Sequence, residues 1–279
     1  MAVSSYETYD LTSQNYDQTR IPVGTEIILG CLTRQGRPLA ELTILDAGCG
    51  TGSYSKAIVG HVGRIEALDM SQGMLGQARA KLEVEATDGR IAFQQGSISE
   101  LPFDDDSFDG VMINQVLHHL PDDGDAGYPL HREVFAEFAR VLKPGGTLTI
   151  NSCSQDQISD AYWYYHLAPG ARRAMGAGFA PLEAVEVLLT DVGLTPRGRF
   201  VPVDAVGQGK TFFDGHGPLK KWWRDGDSFW ARVDEEELAA ALVKVRDLDA
   251  AGTLDAFVAD NDKPRDHLGQ ITFLAASRD

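Results

Sequence analysis

The glycine-rich segment at residues 42–54, which reads LTILDAGCGTGSY, holds the residues whose types and spacing are most informative about chemistry. An apolar run ends in Asp46, and glycines follow at positions 48, 50 and 52. Seventeen residues after Gly52, a second apolar run ends in Asp69. In a βαβ unit this layout gives a tight turn into a helix and an acid that accepts both hydrogen bonds of a ribose diol. The segment therefore predicts a nucleotide site, with an ordinary strand-helix turn as the alternative.

The acid in front of the glycines separates two kinds of nucleotide ligand. A dinucleotide fold would show G-x-G-x-x-G and place a pyrophosphate at the helix N-terminus, whereas this chain shows D-x-G-x-G-x-G. A carboxylate at Asp46 repels phosphate and favours a cationic ligand. The spacing therefore favours a nucleoside ligand that carries positive charge and no phosphate.

Three further stretches follow in order along the chain. Gly96-Ser97-Ile98 comes after a strand-like run, LPFDDDSFD at 101–109 leads into an apolar run, and RVLKPGGTL occupies 140–148. Together with the glycine segment, they resemble the motifs of the class I S-adenosylmethionine (SAM)-dependent methyltransferases over roughly residues 40–152. The resemblance implies SAM as cofactor, methyltransferase activity (enzyme class 2.1.1), and an α/β, Rossmann-like mixed seven-stranded sheet with helices on both faces. Ser97 departs from the family, which often has an acidic adenine contact there.

The resemblance assigns cofactor contacts to the turn and to the ends of the predicted strands. Asp69 would hold the ribose hydroxyls, and Met70 would lie against the adenine. Asp46 would favour the ammonium of the methionine moiety, which the glycines would allow to approach closely. An N-terminal segment with Tyr16 and Arg20 resembles a lid that meets the cofactor carboxylate, with an ordinary amphipathic helix as the alternative. The full expected set is Tyr16, Arg20, Asp46, Gly48, Gly50, Gly52, Asp69, Met70, Ser97, Ile98, Asn114 and Gln115.

Two adjacent histidines, His118 and His119, are the candidates for a catalytic base. Imidazole titrates near neutral pH, so either residue could take a proton from an acceptor. Adjacent histidines here are also similar to a feature of the family that occurs with different acceptors, which favours a role in framing the cofactor. Residues 114–117 read NQVL and lack the Asn/Asp-Pro-Pro-aromatic segment of the amino-methylating nucleic-acid enzymes.

Two aromatic segments are candidates for the acceptor pocket, YWYYH at 162–166 and a set of Phe and Trp residues between 212 and 230. Consecutive aromatic residues cannot all face one side of a helix, so part of each segment must lie elsewhere. The alternative is that these side chains form the core of a cap. Either arrangement favours a small apolar or aromatic acceptor over a polymer. The expected pocket residues are Tyr162, Tyr165, Phe213 and Trp222.

Composition limits the partners and the compartment. The 279 residues carry a formal net charge of −16, and because nucleic-acid affinity rests on Lys and Arg that neutralise phosphates, no nucleic-acid substrate is expected. No apolar run reaches the roughly 18 residues of a membrane span, and the acidic N-terminus is unlike a secretory signal. Three widely spaced cysteines predict reduced thiols, no metal site and a cytoplasmic protein. A monomer or a homodimer is expected.

Helical and strand patterns indicate how the site is positioned. We expect a helical N-terminal lid at 1–40, a SAM-binding core at 41–204, a cap insertion at 205–267 that lines the acceptor pocket, and the last core strand at 268–279. Core helices are predicted at 133–142, ended by KPGG at 143–146, and at 181–192. Strands are predicted at 197–203 and, antiparallel as in the family, at 270–277. In the cap, Asp234 and Glu237 have the spacing of a capping box.

Three functions fit these features to different degrees. The favoured function is SAM-dependent methylation of a small molecule by in-line displacement. The second is a protein of the same fold that binds SAM or S-adenosylhomocysteine and performs other chemistry or regulates. The third, an NAD(P) oxidoreductase, is disfavoured by the glycine spacing and by Asp46.

Overall fold

A computed structural model describes residues 20–279 of the chain. Its centre is a seven-stranded sheet in the order β3-β2-β1-β4-β5-β7-β6. Neighbours from β3 to β5 are parallel, whereas β7 is antiparallel to both β5 and β6. The predicted Rossmann-like mixed sheet is confirmed. The strands are Thr43–Ala47 (β1), Arg64–Asp69 (β2), Ile91–Gln95 (β3), Phe108–Asn114 (β4), Leu142–Ser152 (β5), Leu194–Phe200 (β6) and Thr272–Arg278 (β7).

Runs of consecutive buried residues mark β1 and β4 as central strands of the sheet. Every residue of β4 except Asn114 is buried, as is every residue of β1 except Thr43. Alternate residues join two different cores, with Ile44 in one and Leu45 in the other. Since successive side chains of a strand point to opposite faces, the sheet is covered on both faces, which removes the polar alternation of a one-sided strand.

Twelve α-helices surround or follow the sheet in the described part of the chain, with short 3₁₀ segments between some of them. Within residues 20–279, none of these helices combines the length and apolar character that crossing a bilayer requires. The helices are Thr25–Leu32 (α1), Ser53–Ile58 (α2), Gln72–Lys81 (α3), Glu83–Thr87 (α4), Pro129–Val141 (α5), Gln155–Asp160 (α6), Pro169–Ala177 (α7), Leu182–Asp191 (α8), Lys221–Asp225 (α9), Glu235–Ala250 (α10), Leu254–Asp262 (α11) and Arg265–Leu268 (α12).

Two predicted boundaries around α5 differ from the structure. The helix begins at Pro129 and not at residue 133, because proline occupies the first turn and the Asp122 carboxylate accepts the backbone N–H of Leu130 (3.2 Å) and His131 (2.7 Å). The predicted end of the helix at residue 142 is confirmed to within one residue, since the helix ends at Val141, but residues 143–146 do not form a separate stop. These residues belong to the strand, next to a register shift in its pairing with β4.

The edge strand and the last strand are also shifted from their predicted positions. β6 spans Leu194–Phe200 and begins directly after Gly193, whose positive φ of 86° ends the preceding helical segment. β7 begins at Thr272, two residues later than predicted, and lies between β5 and β6. Residues 201–271 therefore connect two strands that are direct neighbours in the sheet.

The segment between β6 and β7 has its own aromatic core. Trp223 and Phe229 are fully buried, and both pack against Tyr164 of the 3₁₀ segment Trp163–Leu167. The Trp163 indole N–H donates to the Phe212 carbonyl at 2.6 Å. Burying such large rings stabilises the contact, because each carries much apolar area. The segment is therefore packed against the polypeptide that follows β5.

Only half of the predicted capping box at α10 forms. The Asp234 carboxylate accepts the Glu237 backbone N–H at 2.7 Å, as expected. The Glu237 side chain does not return to Asp234 and instead accepts the N–H groups of Gly170 (2.5 Å) and Ala171 (3.0 Å). A carboxylate is favourable at a helix N-terminus, where N–H groups lack intrahelical partners. Glu237 thus caps α7 and ties it to α10.

Candidate functional site

One cavity of about 1010 Å³ lies at the carboxyl ends of β1, β2 and β4. This edge is where open α/β sheets bind their ligands. Gly52, Phe213 and Trp222 do not line the cavity, and Tyr16 lies outside the described residues. The predicted residues that do line it are Arg20, Asp46, Gly48, Gly50, Asp69, Met70, Ser97, Ile98, Asn114, Gln115, His118, His119, Tyr162 and Tyr165.

Glycine is required at the three positions of the turn for different structural reasons. All have positive φ, of 75°, 53° and 76° in chain order. A Cβ on Gly48 would lie 2.7 Å from a methyl carbon of Val116, and one on Gly52 would lie 2.9 Å from Leu82. A Cβ on Gly50 would meet nothing within 4 Å. The prediction that Gly52 admits the ligand is therefore wrong, because it permits close packing on α3, whereas Gly50 faces open space in the cavity wall.

Asp69 organises the turn from the end of β2. Its Oδ2 accepts the Gly50 N–H at 2.8 Å and its Oδ1 accepts the Ser71 N–H at 2.9 Å. Burial raises the pKa of this carboxyl, and the hydrogen bonds from the backbone oppose the rise. A carboxylate oxygen has two lone-pair directions. Each oxygen therefore keeps acceptor capacity for a ligand hydroxyl while the protein fixes its orientation.

The predicted adenine contacts lie at the ends of β2 and β3. Met70 is 41% exposed at the cavity wall. Ser97 uses its hydroxyl locally, with the Ser99 hydroxyl at 2.9 Å and the Ser99 backbone N–H at 3.2 Å. Ser97 therefore shapes the turn after β3, and the lining side chain beside it is the apolar Ile98.

Asp46 is 1% exposed and lines the same cavity. Its Oδ2 accepts the Ser55 hydroxyl at 2.7 Å. Burial raises the pKa of its carboxyl to about 7, although the Ser55 hydrogen bond favours the ionised form. A cationic ligand group beside Asp46 would offset the cost of ionising this buried carboxyl, since an opposite charge favours the ionised form.

A chain of hydrogen bonds that the sequence did not reveal crosses the floor of the site. Gln115 has an unusual positive φ of 55°, and its side-chain amide donates to the Asn151 side chain at 2.9 Å. Asn151 donates to the Tyr54 hydroxyl at 2.8 Å, which donates to the Val23 carbonyl at 3.1 Å. Asn151 and Tyr54 both line the cavity. The sequence could have indicated Asn151 as a site residue, because it lies near the carboxyl end of β5.

Burial favours the neutral form of both histidines. Burial lowers the pKa of His118 well below its usual value and that of His119 to about 3. The His118 ring stacks on Phe179, with centroids 4.5 Å apart and planes at 14°. General-base efficiency follows basicity, so an imidazole of such low pKa is a poor proton acceptor. The geometry favours framing the cavity over base catalysis.

Arg20 is paired with an acid that the sequence analysis did not single out. Its guanidinium lies 3.1 Å from Oδ1 of Asp227, whose side chain is 1% exposed. Asp227 also accepts the Phe229 backbone N–H, the Gln208 amide and the Tyr164 hydroxyl. Because Asp227 belongs to the segment between β6 and β7, this ion pair fastens that segment to the chain before α1. Arg20 also lines the cavity, so its contact with a cofactor carboxylate stays a prediction.

The expected acceptor residues divide into two groups. Tyr162 and Tyr165 line the cavity and stack with centroids 4.7 Å apart. Phe213 is 50% exposed and Trp222 is 38% exposed, and neither reaches the cavity. Their neighbours Phe212 and Trp223 are fully buried in the aromatic core. The prediction for Phe213 and Trp222 is therefore wrong, because adjacent aromatic residues face opposite ways.

Comparison with known proteins agrees with this geometry. Residues 45–150 match the family described as "Methyltransferase domain". Over these residues the chain is similar to a methyltransferase domain. The predicted resemblance is thereby confirmed, and with it SAM as the cofactor. The matched range includes the cofactor candidates from Asp46 to Gln115 and excludes the acceptor candidates Tyr162 and Tyr165.

Relatives of the methyltransferase domain are known by sequence and by structure. A demethylmenaquinone methyltransferase of Clavibacter sepedonicus is 37% identical over 145 residues, 51% of this chain and 55% of the relative. The same enzyme of Lactococcus lactis subsp. lactis is 42% identical over 111 residues, 39% and 40% of the two chains. The chain thus spans about half or less of the length of these relatives.

A solved structure extends the likeness of fold beyond the domain. It is described as a methyltransferase from an antibiotic biosynthesis pathway of Anabaena variabilis, and it is 21% identical to this chain with a TM-score of 0.71. The likeness covers 93% of this chain and 99% of that one. The segments on either side of residues 45–150 therefore share the overall fold of the Anabaena variabilis protein.

SAM binding to the methyltransferase domain is expected to strengthen as pH rises from about 5.5 to 7, by at most about tenfold per pH unit. In the free protein Asp46 holds a proton below its pKa of about 7, and a bound ammonium would expel that proton. Isothermal titration with SAM across this range checks the slope. Asp46→Asn should flatten the dependence, and identical slopes in the two proteins would contradict the assignment of Asp46 to the cofactor ammonium.

Proposed function

We propose that the protein is an enzyme that transfers the methyl group of SAM to a small apolar or aromatic molecule by in-line displacement. The observation that carries the proposal is one cavity with two unlike sets of lining residues. The acids and the glycine turn form one set, here called the cofactor end, and Tyr162, Tyr165 and Phe179 belong to the other, the acceptor end. At about 1010 Å³, it matches the upper end of the roughly 300–1,000 Å³ of small-molecule pockets, which leaves room for donor and acceptor together.

In this proposal the cofactor end binds SAM by the contacts expected from the sequence. Asp69 accepts the ribose hydroxyls, Ile98 and Met70 lie beside the adenine, and Asp46 lies near the ammonium. Asn114 and Gln115 lie near the sulfonium, and the hydrogen-bond chain through Asn151 holds the Gln115 side chain. Because the sulfonium is an excellent leaving group, the chain's own contribution is to align the acceptor and exclude water, which positioning alone can supply.

The proposed domain organisation keeps the sequence-based division. Residues 41–204 form the cofactor core, 205–267 the cap insertion, and 268–279 the last core strand. The cap's contribution to the cavity is supported by Gly207, Gly226, Asp227 and Ser228, which line it. These small and polar residues take the place that Phe213 and Trp222 were expected to hold. The net charge of −16 supports a small-molecule acceptor over nucleic acid.

The test is transfer of a labelled methyl group. The protein is incubated with methyl-labelled SAM and a library of small phenols, hydroquinones and other aromatic metabolites, and label is followed into organic extracts. Label in a product, dependent on protein and lost in Asp69→Ala, supports the proposal. Conversion of a library compound without label would indicate the other function that the sequence allows, namely a SAM-binding protein with different chemistry.

A further inference from the structure

Three tyrosines stand within four residues of one another after β5, and their hydroxyl groups have different partners. The Tyr162 hydroxyl donates to the Gln270 carbonyl at 3.1 Å. The Tyr164 hydroxyl donates to the Asp227 carboxylate. Within residues 20–279, the Tyr165 hydroxyl makes no hydrogen bond, although this residue is only 2% exposed. This hydroxyl is not among the fully buried polar atoms that lack a partner, so it keeps some exposed surface. Because Tyr165 lines the cavity, that surface can receive a ligand.

The packing of Tyr165 determines which part of it a ligand can touch. One face of its ring stacks on Tyr162, with planes at 14°, and the ring also stacks on Phe229, with centroids 4.0 Å apart and planes at 9°. The Tyr164 ring meets it edge-on at 5.0 Å. With its faces covered, Tyr165 can contribute to the cavity that it lines only through its edge. The hydroxyl belongs to the ring edge, keeps some exposed surface, and is held in place by the aromatic stack.

The surroundings make this hydroxyl a donor. Burial raises the pKa of Tyr165 well above its usual value, and Asp227 adds to the rise, so the proton stays in place at neutral pH. The positive charges of Arg20 and Arg232 act on the same hydroxyl in the opposite sense. A hydroxyl that keeps its proton and has no acceptor among the described residues can donate a hydrogen bond to an electron-rich ligand atom such as oxygen.

We propose that Tyr165 is a specificity-determining residue that donates a hydrogen bond to an oxygen substituent on the ring of the methyl acceptor. This inference rests on the proposed function and narrows its substrate class to hydroxylated or oxo-substituted aromatic compounds. The contact fixes the acceptor ring relative to the wall built by Tyr162 and Phe179. A misaligned ring would lose the in-line approach that methyl transfer requires.

The test compares two probes that differ by one hydroxyl, 1-naphthol and naphthalene. Their affinities are measured by fluorescence titration with and without saturating S-adenosylhomocysteine. Wild-type protein is expected to prefer 1-naphthol by about threefold to tenfold, the net effect of one neutral hydrogen bond. Tyr165→Phe should abolish this preference while leaving the naphthalene affinity within about twofold.

Tyr164→Phe is the matched control, because it removes a neighbouring hydroxyl that Asp227 already holds and that does not line the cavity. Its ratio of 1-naphthol to naphthalene affinity should equal that of wild type even if both affinities fall. A preference that survives in Tyr165→Phe, or failure of wild-type protein to bind 1-naphthol, overturns the inference. Failure of the proposed function would show separately, as absence of S-adenosylhomocysteine binding or of label transfer.

Discussion

A Gly50→Val variant is expected to fold and to lose detectable SAM binding, a weakening of more than about a thousandfold. The position has a φ of 53°, and a Cβ there would meet no protein atom within 4 Å, because it would point into open space beside Asp69. Valine would place two methyl groups in the volume proposed for the methionine moiety. The left-handed backbone also costs a non-glycine residue about 1–2 kcal/mol. Equilibrium binding and thermal melting measure the two effects separately.

Gly89→Val is the matched control for that backbone cost. Gly89 has a φ of 73° and also leaves open space where a Cβ would lie, but it is on the turn before β3 and does not line the cavity. It should show a similar drop in melting temperature with unchanged SAM affinity. If Gly50→Val bound SAM as well as Gly89→Val does, the glycine turn would not be the cofactor site.

The second large effect is expected for Asp69→Ala, which should weaken SAM binding by at least about a hundredfold. The substitution removes the charge-assisted hydrogen bonds to the ribose, each worth roughly 1.5–3 kcal/mol. It also releases the N–H groups of Gly50 and Ser71, which the carboxylate now orients. The loss should therefore exceed that of the ribose contacts alone.

Two further variants separate these contributions. Asp69→Asn keeps one acceptor oxygen in the same shape and should bind SAM with intermediate affinity. Asp104→Ala, in an exposed turn before β4, is the control for removal of an acid and should leave affinity unchanged. An Asp69→Ala protein that melts cooperatively and binds SAM normally would remove Asp69 from the cofactor site.

The cofactor end of the cavity could be predicted from sequence because its determinants are local. Asp46, Gly50 and Asp69 lie at the ends of short strands, and parallel strands bring their carboxyl ends to one edge of the sheet. The spacing of the glycines fixed the turn but not the reason for each glycine. Gly52 packs on Leu82, directly after α3, a contact that depends on how two helices meet and that no local pattern encodes.

The acceptor end was harder to predict because irregular segments build it. Phe212 and Phe213 have the same chemistry, and only the direction of one 3₁₀ turn decides that the first is buried and the second half exposed. Asp227 lies in a stretch of the sequence with several acids, and its role becomes visible only once Arg20, Gln208 and Tyr164 surround it. Long-range partners of this kind leave no periodic signal.

The direct pairing of β6 with β7 has a consequence for how such a protein diversifies. Phe200 and Phe273 are opposite each other in the sheet, so the intervening residues leave and re-enter it at adjacent points. A short hairpin would satisfy the same junction, and the entropy of closing a loop grows only slowly with its length. Residues 201–271 could therefore be replaced as a unit, in evolution or by design, while β1, β2 and β4 keep their register. The cofactor site can therefore be kept unchanged while the segment that lines the rest of the cavity changes.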